Sequence, residues 1–415
     1  MPIDLPFERG ATTPGHVLPP LSLLDPREES FPLTQPGLER MARRLEEKFC
    51  QLGIDGGVVR IVPGPVVTTF EFCPAVDVKA FKFPGLADEL LLMLQAESVR
   101  IERGRRDSLM AVALPNPTRR SISLRELLEA SAAYPADAVL TIPLGTTATG
   151  EPFAIDLARV PHLLLAGSNG ASASAALTAM LASLVCRVTP EKVRFILVDS
   201  NPLGLGMLEG IPHLLTPVVR DAWRGAYVLR WAVSRMEERN RNVRRGAGQE
   251  DVHAARGQPR PSPRIVIAVD EFAHLMRWAP TEVEESVCRL AQMSRAAGIH
   301  LLLATDCPSA DVVTDLIKAS VPARISLRQP TRRESRAILD ACGAESLLGR
   351  GDMLYRRPSA EGLIRLHGPR VSDGELARLA AFLCRQGRPS YDETIAEEQG
   401  IAPSRPRRPS GGDRG

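Results

Sequence analysis

The sequence predicts an α/β protein: a parallel central sheet wrapped by helices, preceded by a small α+β domain. Three observations carry this. From residue 151 onward, near-continuous apolar runs alternate with longer helical patterns, the pattern of a parallel sheet covered on both faces. One run ends in a small-residue turn that leads into a helix, "HLLLAGSNGASASAALTAML" at 162–181. Another ends in an acidic pair, "RIVIAVDE", closing on Asp270 and Glu271. Ligands of such sheets bind beyond the carboxyl ends of the strands, where both features fall.

In chain order, residues 1–36 are rich in Pro, Gly and Ser and read as an extended, disordered leader. "LERMARRLEEKFCQLG" (38–53) has helical spacing and stops at Gly53, a glycine suited to a left-handed helix end. Two short strands follow, joined by Pro63-Gly64-Pro65. "LADELLLMLQAESVRIE" gives a second helix and a strand, and "SLRELLEASA" a third helix capped by Ser121 or Ser123. Residues 37–150 are thus expected to form the small domain and 151–388 the large one. The large domain's strands are "HLLLAG", "VRFILVD", "RIVIAVDE", "IHLLLATD" and "ARISLR", with helices over 174–187, 221–245, 282–297, 310–319 and 332–341. A Pro/Gly/Arg-rich loop covers 246–263, and 389–415 reads as a flexible basic tail.

Bulk properties narrow the class. Among 415 residues, 44% are hydrophobic and the formal net charge is +3, enough for large cores and little guide to partners. Lysine occurs only at Lys48, Lys79, Lys82, Lys192 and Lys318; arginine supplies the other cations. The 7 cysteines include no C-x-x-C pair, which argues against a disulfide framework or zinc site and for a reducing, cytoplasmic setting. No apolar run reaches the ~18–20 residues a membrane span needs, and no signal peptide or anchor is expected.

The turn after the 162–166 run has the layout of a phosphate-binding loop, G-x-x-x-x-G-K-[ST]. The residues standing there are Gly167, Ser168, Asn169, Gly170, Ala171, Ser172, Ala173 and Ser174. The first glycine and last hydroxyl fit; the second glycine is Ser172 and the lysine is Ala173. In such a site Asp270 and Ser174 would hold Mg²⁺ with ATP, and Glu271 would polarise the attacking water. An acid capping a neighbouring helix is the structural alternative.

Longer stretches carry a resemblance. "RIVPGPVVT" (60–68), "LADELLLMLQAESVRIE" (86–102), "GIPHLLTPVV" (210–219), "VDEFAHLM" (269–276), "RLAQMSRAAGIHLLLAT" (289–305) and "ILDACGAESLLGRGDMLY" (338–355) are similar to the FtsK/SpoIIIE family of double-stranded DNA translocases, over residues 18 to 392. The resemblance implies a RecA-like P-loop motor domain, a preceding collar domain, and a hexameric ring around duplex DNA. It also implies ATP and Mg²⁺ as cofactors. The departures from that family converge on predicted strand ends. Its Gly-Ser-Gly-Lys-Ser loop is Gly170-Ala171-Ser172-Ala173-Ser174 here, its Asp-Pro-Lys is Asp199-Ser200-Asn201, and its Gln-Arg pair is Asp306-Cys307. The second acid of its Asp-Glu-Phe-Ala-Asp run is His274.

A charged hydrogen bond to phosphate is worth roughly 1.5–3 kcal/mol, so losing the lysine weakens ATP binding by about 10–100-fold and slows phosphoryl transfer. Arg356 and Arg357, in the hairpin-like "YRRPSAEG", are candidates for DNA phosphate contact, with Arg332 and Arg333 behind them. Arg295, Arg324 and Arg336 stand open between arginine fingers acting on a neighbouring subunit and plain surface ion pairs. The arginines of 221–245 read as those of a solvated helix or a ring-interface helix, and His274, alone at its spacing, as a solvent-facing side chain. Three functional readings result. The first is a ring-forming, DNA-binding protein of this family with impaired or lost ATP hydrolysis. The second is an active translocase in chromosome segregation. The third is a regulatory or scaffold subunit within a ring of an intact paralogue.

Overall fold

The computed structural model describes residues 15–27, 34–75, 78, 83–104, 108–130, 138, 140–168, 170–201, 204–244, 262–358 and 362–397. Asn169, most of the 246–263 loop, residues 1–14 and 28–33 of the leader, and 398–415 of the basic tail lie outside them.

The N-terminal unit contains α1 (Gln35–Gln51), β1 (Gly56–Pro63), β2 (Val67–Pro74), α2 (Phe83–Leu94), β3 (Arg100–Arg103) and β4 (Met110–Pro115). Its sheet has the order β1-β2-β4-β3, antiparallel throughout. The expected helix end is present: Gly53 has φ 73°, a conformation only glycine adopts without strain. Gly64 N donates to Val67 O and closes the predicted turn. Helix α1 buries Leu38, Ala42, Leu45 and Phe49 at helical spacing, and Phe49 stacks on Phe72 with centroids 4.2 Å apart.

A linker passes through β5 (Ile122–Ser123), α3 (Leu124–Ala130), β6 (Thr141–Thr147) and β7 (Pro152–Asp156). Ser123 Oγ, one of the two expected caps, accepts from Glu126 N. These elements correct the expected boundary at 150. Strands β6 and β7 are hydrogen-bonded into the large sheet and not the small one, so the small unit ends near residue 116. Their apolar residues Ile142, Leu144 and Ile155, with Leu140 just before β6, belong to the large domain's core.

The large domain continues with β8 (His162–Ala166), α4 (Gly170–Val185), β9 (Val193–Val198), α5 (Ala222–Arg244), β10 (Arg264–Val269), α6 (Phe272–Trp278), α7 (Pro280–Ala297) and β11 (Ile299–Thr305). It closes with α8 (Asp315–Ser320), β12 (Arg324–Leu327), α9 (Arg332–Leu339), β13 (Asp352–Arg356), β14 (Leu363–His367), β15 (Pro369–Arg370), α10 (Asp373–Cys384) and α11 (Glu393–Glu397). The sheet order is β7-β6-β14-β13-β12-β8-β11-β10-β9. Strands β12, β8, β11, β10 and β9 are parallel, as expected; β13, β14, β6 and β7 extend the sheet with antiparallel pairing. Alternate residues of β8 face two separate cores. Leu163 and Leu165 pack with α4 and α10, while Leu164 and Ala166 pack with α5, α6 and α7. The chain leaves β8 for the far edge at β9 and returns to β12 on β8's other side, so the order reverses at β8. Crevices for ligands open at such reversals.

Part of the leader is ordered against the large domain. Leu24 is buried in its core. Arg378 Nε donates to Leu23 O, Arg378 pairs with Asp25, and Asp25 N donates to Glu375 Oε1. Helix α8 begins five residues later than expected, at a cap where Thr314 Oγ1 accepts from Ile317 N. Among the described residues, no helix is long and apolar enough to cross a membrane.

Candidate nucleotide-binding site

Strands β8, β9, β10 and β11 end side by side, and each ending carries a residue of the site. After β8, Gly167 N donates to Thr305 O at the end of β11, and Ser168 N donates to Arg328 O beyond β12. Helix α4 then starts at Gly170, with Gly170 and Ala171 in its first turn, where orphan backbone N–H groups point outward. Ser172 folds back across the neck of the turn. A Cβ built on Gly167 would collide with Ser172 Oγ and approach Ala173 N to 3.2 Å, so a side chain at 167 would have to displace the Ser172 hydroxyl. Ala173, in the lysine's place, is 1% exposed and belongs to the hydrophobic core.

Ser174 Oγ donates to Asp270 Oδ1 at 2.9 Å, and the same oxygen accepts from Glu271 N at 3.0 Å. The resemblance implied this hydroxyl–carboxylate pair, and the structure brings it together. Asp270 is 5% exposed. Burial, chiefly, together with the neighbouring Asp199 and Glu271 carboxylates raises its pKa to about 6, against the pull of the Ser174 hydrogen bond. Asp199, at the end of β9, is fully buried and accepts from Asn201 N and Leu205 N, each at 2.7 Å. Burial is the largest cause of its raised pKa. Glu271 has φ 55°, strained for a residue with a side chain, and such strain gathers at functional sites. Its Oε2 accepts from Ser200 Oγ at 2.5 Å, and His274 Nδ1 stands 3.0 Å from the same oxygen.

Three carboxylates therefore converge, with no guanidinium or ammonium paired to them among the described residues. Among the described residues neither Asp199 nor Asp270 has an ion-pair partner, and Glu271 has only His274. The fit to Mg²⁺ and ATP divides accordingly. Ser174 and Asp270 offer the hydroxyl and carboxylate that a phosphate-bound Mg²⁺ takes from protein. The grip on triphosphate does not fit: Ala173 is sunk in core, Ser172 crosses the neck, and Asp306 stands exposed after β11. No group of three or more His, Cys, Asp or Glu among the described residues is disposed to hold a metal by itself.

The candidate DNA contacts lie elsewhere. Arg356 ends β13 opposite Arg324, the first residue of β12, so the turn that follows points away from the phosphate-loop edge. Arg356 Nη1 donates to Leu339 O, while Arg357 is exposed. Arg332 bridges the two units through Asp88 at 2.6 Å and Glu345 at 3.5 Å; Arg333 is exposed. Arg324 is removed from the arginine-finger candidates. It is 5% exposed, pairs with Asp340 at 2.8 Å and donates to Ile338 O. Arg295 and Arg336 are exposed. On α5, whose other face is buried in the core, Arg224, Arg230 and Arg235 sit in ion pairs with Asp221, Glu282 and Glu238.

Sequence reasoning missed two things. Ser200 as the partner of Glu271 has no local signal. Beside α4, a cavity of about 520 Å³ is bounded by Ser172, Ala176, Leu144, Met353, Arg350 and Arg370. Its one sequence trace is Gly349-Arg350-Gly351, glycines flanking an arginine at a tight turn.

Comparisons with known proteins agree with this architecture. The FtsK/SpoIIIE family pattern matches residues 123–258 and 247–310, and the FtsK alpha domain matches 18–116. The chain is 39% identical over 430 residues to the DNA translocase FtsK of Caulobacter vibrioides, covering 95% of this chain and 52% of that protein. It is 38% identical over 421 residues to the DNA translocase FtsK of Agrobacterium fabrum, covering 93% and 47%. The chain thus spans about half the length of the curated relatives it matches. In fold it is similar to the pCW3 conjugation coupling protein TcpA, solved as a monomer with ATPγS, at TM-score 0.53 and 19% identity over 84% of this chain and 100% of that one. A two-unit chain of this topology, with a phosphate-loop turn at the sheet's reversal and kinship along nearly its whole length, belongs to the FtsK/SpoIIIE family.

Proposed function

We propose that this chain is a ring-forming, duplex-DNA-binding subunit of the translocase type whose own nucleotide site hydrolyses ATP slowly or not at all. One observation carries the reading. At the turn that should grip triphosphate, the lysine position is a buried alanine and no described cation takes its place beside Asp199 or Asp270. DNA as partner is inferred from the curated relatives, both DNA translocases; exposed Arg333 and Arg357 are the candidate phosphate contacts. Mg²⁺, when bound with phosphates, would neutralise charge at the transferring group. Ser174 and Asp270 would hold it, and Glu271, fixed by Ser200 and His274, would orient water.

The test is ATP turnover with and without duplex DNA, alongside DNA binding at several salt concentrations. The expected result is salt-dependent, sequence-independent binding with no DNA-stimulated turnover. Robust DNA-stimulated hydrolysis by the purified chain would overturn the reading. An active translocase is the second reading, favoured by the intact Ser174–Asp270 contact; it needs a neighbouring subunit, such as an intact paralogue in a mixed ring, to bring a cation. Hydrolysis appearing only in a mixed assembly would support that version.

A further inference from the structure

We propose that Arg328 holds phosphate at the nucleotide site in place of the missing loop lysine, so that the chain keeps a phosphate-bearing nucleotide bound without turning it over. The inference rests on the reading that the loop's own cation is lost, and it names the side chain that supplies the phosphate affinity that is left.

Arg328 is the first residue beyond β12, the strand that pairs with β8 on the side away from β11. The parallel register sets Ser326 against Ala166, which brings Arg328 level with Ser168 in the phosphate turn. The main chain there is fixed from two sides. Arg328 O accepts from Ser168 N at 3.2 Å, and the next amide, Gln329 N, donates to Ala344 O at 3.0 Å. Gln329 itself is 1% exposed. Arg328, by contrast, is exposed, and no hydrogen bond or ion pair holds its side chain among the described residues. An arginine rooted one hydrogen bond from the turn has the length to lay its guanidinium beside a phosphate seated there. The amides of Gly170 and Ala171, in the first turn of α4, are the other donors such a phosphate would meet.

Charge is unevenly distributed across the turn. Asp199, Asp270 and Glu271 stand on the β9–β10 flank, where Mg²⁺ would sit. On the β12 flank, Glu97 of the N-terminal unit pairs with Arg119 at 2.5 Å. The Glu97 carboxyl is held below the usual range by Arg119 first, with Arg328 and Arg350 adding to the effect. Three guanidiniums therefore share one exposed carboxylate, and Arg119 takes it directly. Arg328 is left with a counter-charge farther off than an ion pair. A phosphate, carrying more charge and matching the planar guanidinium fork, outcompetes it. Arg350 is less well placed, because no hydrogen bond among the described residues joins it to the 167–174 turn. The layout also accounts for binding without hydrolysis. Strands β8 and β11 lie between β12 and the strand that ends at Asp270, three strand spacings or about 14 Å. Arg328 thus serves phosphates held on its own flank, and not the charge that develops at the transferring group beside Glu271.

The experiment is a calorimetric titration of the full chain with Mg²⁺–ATP and with inorganic tripolyphosphate, at two salt concentrations, for the parent, Arg328→Gln and Arg328→Lys. Arg328→Gln should weaken both ligands by about 10–100-fold, the loss of one charged hydrogen bond, and should flatten the salt dependence. Arg328→Lys, which returns the charge without the fork, should recover part of that loss. Circular dichroism checks that each variant is folded. Unchanged affinity in folded Arg328→Gln, or a parent that binds neither ligand, overturns the inference and leaves the proposed function standing. A loss that Arg328→Lys does not recover at all also overturns it, since the side chain would then act through shape and not charge. Robust DNA-stimulated turnover by the parent overturns the proposed function, and binding without turnover goes with it.

Discussion

Two buried aspartates in the large domain have opposite electrostatics. Asp352, behind the Gly349–Gly351 turn, is 1% exposed and meets Arg365 at two oxygens, with His367 beside it. Although burial opposes it, Arg365 holds the Asp352 carboxyl below the usual range. Asp270, at the nucleotide turn, is almost as buried, has a hydroxyl and an amide for partners, and its pKa rises to about 6. A buried acid kept for the fold carries its counter-ion with it. A buried acid with no counter-ion among the described residues, like Asp270, is what a site that takes its counter-charge from a bound ligand would show. The comparison separates a compensated from an uncompensated buried carboxylate within one domain.

The largest effect should come from breaking the compensated side. Arg365→Met strands Asp352 and should cost about 3–5 kcal/mol in urea unfolding. Adding Asp352→Asn should recover most of that loss, since apolar or neutral replacement of both partners is far cheaper than removal of one. No recovery would mean that Arg365 acts through packing alone.

The acid limb of the stability curve comes next. His162, His213 and His367 are lowered to about 4 and His300 to about 3, burial being the leading cause for each. Their folded pKa values lie below the ordinary 6.5, so the unfolded chain binds more protons between the two. Stability should therefore fall as pH drops from about 6.5 toward 4. Asp270 works the other way, because its raised pKa favours the folded state as pH falls through about 6. Asp199, also raised, acts in the same direction, and two aspartates against four histidines leave a net loss. A urea midpoint that holds level from pH 7 to 4.5 would contradict the burial of the histidines.

On the uncompensated side, Asp270→Asn should stabilise the chain by about 1–2 kcal/mol at pH 8. The gain should shrink as pH falls through 6 and vanish near 4, where the parent's own carboxyl is protonated. A destabilised variant at pH 8 would place an unseen cation at the site. Smallest of all, His274→Ala removes an exposed partner of Glu271, with side chains 50% and 31% accessible, and should change stability by less than about 0.5 kcal/mol.

The legible parts of this protein were those written in local pattern. The β8–turn–α4 unit follows from an apolar run, small residues and a helical stretch, and Asp270 from its place at the end of such a run. Long-range pairing was not legible. Strand β6 fell within the small domain's expected bounds because its antiparallel partner far along the chain, β14, leaves no mark in a short window. Arg324 read like any other arginine, since its burial against Asp340 depends on a helix end more than ten residues away. The fold of Ser172 over Gly167 is likewise a contact across the turn, although the substitution itself was plain in the sequence.

The central claim is that loss of the loop cation silences the nucleotide site, and one comparison tests it most directly. Mg²⁺–ATP affinity is measured for the parent chain and for Ser172→Gly with Ala173→Lys, each checked for native circular dichroism. The account predicts that the double variant binds about 10–100-fold more tightly, the worth of one charged contact to phosphate. A parent that binds Mg²⁺–ATP as tightly as the restored loop would contradict it.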